Sequence, residues 1–156
     1  MALESKQGWQ IGTLRATVFV NSNIKDPIAI WKAVISKDPD EVINDYKKSI
    51  ILITGEMDGP EETIKLLCQT APGRIDLFFR PVDKELISGF QVIGRFPEDI
   101  GRYQPIISAF FAAVPMGYRL AFGPVIIQVV DDLTSGYKEL QKYLPSVKID
   151  PEKTSD

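Results

Sequence analysis

The chain of 156 residues sets 18 Lys and Arg against 21 Asp and Glu, a net charge of −3, and is 44% hydrophobic. That suits one domain with its own core and is short for two. The acidic balance argues against binding nucleic acid or an anionic membrane, since both attract a cationic face. The chain has no histidine and one cysteine, Cys68, which removes Ser-His-Asp and Cys-His catalysis, imidazole and paired-thiol metal ligation, and any intrachain disulfide.

In chain order, residues 1–10 are polar and expected to be loose, with Trp9 available to tuck into the body. Residues 13–20 alternate, with Leu14, Ala16, Val18 and Val20 on one face and Thr13, Arg15 and Thr17 on the other, so a half-buried strand is expected. Asp26-Pro27 is a helix start, a capping carboxylate before proline at the first helical position. Ile28, Trp31, Val34 and Ile35 follow as an apolar stripe, with Trp31 as its core anchor. Residues 37–48 are charged and contain Pro39, and are expected to be mostly surface loop.

Residues 49–56, SIILITGE, form a short apolar run consistent with a central strand. Residues 61–70 fit either a helix starting at Pro60 or a strand alternating Ile64, Leu66 and Cys68 outwards from Lys65 and Gln69. The turn residues Pro72-Gly73, followed by alternating Ile75, Leu77 and Phe79, make a hairpin and favour the strand. Residues 86–96 also alternate, and their internal glycines suggest a bulge or a close backbone approach.

The stretch 96–130 organises the rest. Ile100, Tyr103, Ile107, Phe110, Phe111 and Val114 share one helical face. Pro97 is expected in the first turn, with Glu98 and Asp99 at the positive end of the dipole. Pro115 and Gly117 stop the helix, and the apolar, β-branched segment 118–130 reads as a buried strand. Asp131-Asp132 cap a last helix over 133–144, with Tyr137, Leu140 and Leu144 facing in. The order β-α-β-β-β-β-α-β-α gives an α+β fold, a mainly antiparallel curved sheet with helices packed on one side. One domain is expected across 11–145, between a loose 1–10 and a frayed 146–156.

No targeting pattern is expected, and the most apolar region, 106–130, is broken by Pro115, Gly117, Arg119 and Pro124. A membrane span of about 20 residues cannot be drawn through it. The expected setting is cytoplasmic, with no cofactor and no catalytic or metal-ligating residue assigned. Residues 89–96 have the glycine spacing of a phosphate-binding loop, but Arg95 and Phe96 stand where lysine and a hydroxyl residue are needed. The carboxylate pairs Glu56/Asp58, Glu61/Glu62, Glu98/Asp99 and Asp131/Asp132 could hold a hard cation. Turn and capping chemistry accounts for them more simply.

The arginines carry more. Arg95, Arg102 and Arg119 are the cations between Lys84 and Lys138, with Arg74 and Arg80 just upstream. Guanidinium suits partly buried pairing with carboxylate or phosphate. Phe78 shares a strand face with Arg74, Asp76 and Arg80, a mixture enriched at protein interfaces. The candidate interface or anion site is therefore Arg74, Asp76, Phe78, Arg80, Arg95, Arg102 and Arg119. The expected function is binding an unknown protein partner, or a second copy over the sheet. A first alternative is a small-molecule pocket, apolar or anionic, lined by Phe110, Phe111 and Phe122 beside a helix kinked at Pro105. A second is an enzyme built from carboxylate and arginine.

Overall fold

The computed structural model describes residues 8–82 and 91–146. Residues 10–127 form one compact unit, and residues 8–9 and 128–146 belong to a second. The first unit is an antiparallel sheet not closed into a barrel, with strands β1 (Gln10–Val20), β2 (Glu41–Asp45), β3 (Ile50–Asp58), β4 (Thr63–Ala71), β5 (Arg74–Pro81), β6 (Gly94–Arg95) and β7 (Gly117–Ile127). Helix α1 (Pro27–Ile35) follows β1, and α2 (Ile100–Ala113) connects β6 to β7.

The strands lie in the order β2-β3-β4-β5-β1. β7 runs along β1 from Gln10↔Ile127 to Val20↔Gly117. β5 pairs with β1 from Leu14↔Phe79 to Phe19↔Arg74, and β6 adds Gln10↔Arg95 and Ile11↔Gly94. The segment 61–70, which fitted two elements, is a strand: β4 joins β5 through Pro72-Gly73, with Gly73 in the left-handed region at φ +77°.

One face of this sheet carries the core. Leu14, Ala16, Val18, Ile53, Ile64, Leu66, Cys68, Ile75, Leu77 and Phe79 are buried beneath Ile30 and Trp31 of α1 and Tyr103, Ile107 and Phe110 of α2. Asp26 caps α1 by accepting from the Ala29 N–H at 2.9 Å. Trp31 is 2% exposed and lies against β3 at Gly55, where an added Cβ would stand 2.6 Å from the indole. Glycine there permits the close approach. Tyr103 packs edge-on against Phe79 at 5.2 Å and donates its hydroxyl hydrogen to the Ile93 carbonyl. Pro105 lies inside α2. It removes the N–H that would reach Gly101, which is exposed and can use water instead.

Four sequence expectations change. The segment 37–48 is not loop throughout: β2 spans Glu41–Asp45 and pairs with β3 from Glu41↔Thr54 to Asp45↔Ile50. As an edge strand it needs no apolar face of its own, and backbone pairing holds it. The segment 118–130 is not a buried strand. β7 has β1 as its neighbour on one side, and Tyr118, Leu120, Phe122 and Val125 are 62%, 54%, 45% and 53% exposed. Pro97 precedes α2 rather than opening it, and the Phe96–Pro97 bond is cis; Asp99 is the residue before the helix. Of the strand expected over 86–96, residues 83–90 lie outside the described residues, and only Gly94–Arg95 pairs in the remainder.

In the second unit, Asp132 caps α3 (Leu133–Tyr143) by accepting from the Ser135 N–H at 2.8 Å. The Trp9 indole donates to the Tyr143 hydroxyl at 2.9 Å with the rings edge-on. No α3 residue is buried; Leu140 and Leu144, expected to face in, are exposed.

Candidate interface on the uncovered sheet face

Alternation sends every second side chain of these strands away from the helices. The strand registers place these residues in rows across the sheet. One row runs Glu41, Thr54, Leu67, Phe78, Arg15, Gly123. The next is Ile43, Leu52, Gln69, Asp76, Thr17, Ala121. Flanking rows bring Arg74, Phe19 and Arg119 together on one side, and Glu56, Lys65 and Arg80 on the other. β4 shows the contrast between faces plainly: Ile64, Leu66, Cys68 and Thr70 are buried, whereas Lys65, Leu67 and Gln69 are half-buried. Neither α1 nor α2 covers this second face.

Its organising group is Asp76, 1% exposed although it faces away from the core. Arg15 donates to Asp76 Oδ1 from Nε at 3.0 Å and from Nη2 at 2.8 Å, and the Thr17 hydroxyl donates to the same oxygen. Arg74 Nε stands 3.1 Å from Oδ2, close enough to pair but not aligned for a hydrogen bond. A sequestered carboxylate is costly unless paired, and two guanidiniums supply that pairing. In return Asp76 fixes both arginines, each still about two-fifths exposed.

The neighbouring cations rest on rings. The guanidiniums of Arg15 and Arg80 stack over Phe78 at 5.2 and 4.7 Å from its centroid, and Arg119 stacks over Phe19 at 5.2 Å. Each such contact contributes about 0.5–1 kcal/mol at an exposed site, and it holds the cation in place without neutralising it. Among the described residues neither Arg80 nor Arg119 has a carboxylate partner. The β1–β5–β7 half of the face therefore presents four arginines against one carboxylate.

The opposite half is mainly acidic, with Lys65 of β4 beside Glu56 as its cation. Glu41 on β2 and Glu56 and Asp58 on β3 are exposed and form no ion pair among the described residues. Asp45 is engaged by the Lys47 and Lys48 N–H groups in the β2–β3 turn. Half-buried Leu67 and Phe78, cross-strand neighbours on β4 and β5, lie where the two halves meet.

The seven interface residues named from sequence thus separate. Arg74, Asp76, Phe78, Arg80 and Arg119 come together. Arg95 is on β6, 3.7 Å from Glu61, and Arg102 is exposed on α2 in the helix layer. Arg15, Thr17 and Phe19 belong to the cluster and were not among the candidate site residues. The signal was present in the polar side of the β1 alternation, but it needed the β1–β5 register to be read. The three pocket phenylalanines also part company. Phe110 is buried in the core, Phe111 is half-buried with its ring 6.1 Å from that of Phe110, and Phe122 is exposed on β7. None of them lines the groove of about 530 Å³ that Asn23, Asp26, Ala29, Ala33, Ala113 and Met116 form between α1 and the end of α2.

Burial pushes the Cys68 thiol up to about 12, with the Asp76 charge adding to the shift, so this cysteine is a core residue rather than a nucleophile. Burial, with Asp99 nearby, also pushes the Tyr103 hydroxyl up to about 12. The described end of the phosphate-loop-like stretch is closed by its own chain: the Arg95 N–H donates to Asp99 Oδ2 at 2.7 Å. Among the described residues no three Cys, Asp or Glu side chains converge as a metal site, and no helix is long and apolar enough to cross a membrane. No family model matches the chain, and neither a curated protein nor a solved structure does.

Proposed function

We propose that the chain is a non-enzymatic binding module of the cytoplasm that works through protein–protein contacts on the uncovered face of its sheet. The observation that carries this reading is the cluster around Asp76 and Phe78. Arginines held in place by a sequestered carboxylate and by aromatic rings lose little freedom when a partner arrives, and arginine and aromatic residues are the types enriched at interface centres.

The test compares what associates with wild-type protein, with the double variant Phe78→Ser/Arg80→Glu, and with Arg102→Glu on the helix layer. Partners or self-association that survive Arg102→Glu and vanish in the double variant support the reading. An unchanged association profile in the double variant would refute it.

A further inference from the structure

We infer that the open edge of β7 pairs with β7 of a second copy, antiparallel about a twofold axis through Ala121 and perpendicular to the sheet, so that one sheet continues into the other. The inference concerns the edge of the sheet and stands apart from the reading of its uncovered face. A contrast between two edges is the first support. Among the described residues, β2 and β7 each pair on one side only. β2 is five residues long with Glu41 and Asp45 at its ends, the short, charged form that keeps an edge unpaired. β7 runs for eleven residues with Arg119 as its one charge, and every residue from 117 to 125 is exposed. An edge of that length and composition is a template for another strand.

The register decides which backbone groups are free. The Val20 N–H donates to the Gly73 carbonyl at 2.9 Å, so Val20, and by alternation Val18, Ala16 and Leu14, turn their backbone groups away from β7. Their neighbours on β7, Leu120 beside Val18, Phe122 beside Ala16 and Pro124 beside Leu14, then turn theirs to the open edge. Pro124 agrees, since its nitrogen has no hydrogen to give β1. Leu120 and Phe122 therefore each offer an N–H and a C=O. Pro124 bounds this run on one side, and the shifted register between Phe19 and Val20 bounds it on the other.

The strand that fits so short a run is β7 itself. In an isologous pair the same segment meets itself through the symmetry operator. An axis at Ala121 sets Leu120 opposite Phe122 of the second copy, and the reverse, which joins every one of these groups in a hydrogen bond. Both side chains lie on the helix side of the sheet, 54% and 45% exposed, and each such pairing covers apolar surface. On the other side Ala121 meets its own image. Arg119, stacked over Phe19, comes opposite Gly123, where an added Cβ would meet nothing within 4 Å. An axis at Leu120 would instead lay Phe122 on Tyr118, at the shifted register, and one at Phe122 would lay Leu120 on Pro124, which cannot donate.

Disulfide trapping of the full chain tests this register. In the pairing, the Ala121 Cα atoms of the two copies stand about 4.5 Å apart, within disulfide reach, and the Gly123 Cα atoms about 14 Å apart, beyond it. Edge pairing buries less than about 1,200 Å², so the free dimer is weak and covalent capture suits it. Under mild oxidant, Ala121→Cys is expected to form a covalent dimer at least about tenfold faster than Gly123→Cys. Cys68, 1% exposed, does not compete. Adding Phe122→Pro removes an N–H that β1 does not use, and is expected to bring trapping down to the Gly123→Cys rate. Thermal melts check folding, and Leu120→Lys/Phe122→Lys replaces the proline variant if that fails to fold.

Equal trapping at positions 121 and 123 would overturn the edge dimer. So would trapping at 121 that survives Phe122→Pro in a folded protein. Trapping abolished by Phe78→Ser/Arg80→Glu would also overturn it, because those residues belong to the uncovered face and not to the edge. Trapping that persists in that variant supports the edge, whatever the fate of the face as a binding surface.

Discussion

The two faces of this sheet are built from the same strands by opposite means. On the helix side, cohesion comes from shape: Ile, Leu, Val and Phe side chains close around Trp31 and Tyr103, and water is excluded. On the uncovered side, cohesion comes from charge and rings, because water stays in contact and apolar burial is incomplete. Asp76 is the exception that joins the two, a carboxylate as inaccessible as a core residue but solvated by Arg15, Arg74 and Thr17. A face that is ordered but unsealed is suited to docking, and a sealed one is suited to stability.

Substitutions should sort by face. Trp31→Ala opens a cavity under α1 and is expected to cost about 3–5 kcal/mol of unfolding free energy in urea titration. A loss below about 1 kcal/mol would show that α1 is not anchored there. Asp76→Ala is expected to cost about 1–3 kcal/mol, since it strands the buried Thr17 hydroxyl and leaves two guanidiniums without their shared partner. A neutral outcome would reduce the outer cluster to surface decoration. Alkali acts on the helix side, through two buried groups. The thiol of Cys68 rises from 9.0 and the hydroxyl of Tyr103 from 10.0, each to about 12 in the fold. Their contribution is thus complete below those unfolded values and is lost as pH rises towards 12. Stability should fall by up to about 1.4 kcal/mol per pH unit for each group in its window. Cys68→Ala should flatten the part of the fall that starts near 9, where thiol titration begins in the unfolded chain. Urea midpoints between about pH 8 and about pH 11 check this, and an unaltered slope in the variant would assign the loss elsewhere.

The helix-side face was legible from sequence because its signals are local. Alternation gave β1, β4 and β5, the Asp26-Pro27 cap gave α1, and the Pro72-Gly73 turn gave the β4–β5 hairpin. The uncovered face was legible only in part. Arg74, Asp76, Phe78 and Arg80 fall within one strand and were found together. Arg15 and Thr17 reach Asp76 across a strand pair whose members lie about sixty residues apart, and no local pattern announces such a partner. β2 was missed because Val42 and Ile43 are only two apolar residues in an otherwise charged and polar stretch, and its pairing with β3 is what makes it a strand. β7 was read as buried because apolar, β-branched composition reports a strand without reporting how many neighbours it has. Pro124 held a clue, since proline inside a strand points to an edge.

The position of β1 also shapes how the molecule is made. The first strand of the sheet finds its partners in β5 and β7, so its last contacts close only when Gly117–Ile127 has been added. β2 to β5, by contrast, form a meander of neighbours that can zip in sequence. Topology with such distant pairing slows folding, because loop entropy is lost before the contact rewards it. A growing chain must therefore carry an apolar strand, Leu14 to Val20, with one edge open until β7 emerges. In that interval β1 is the segment most exposed to mispairing and to capture by chaperones.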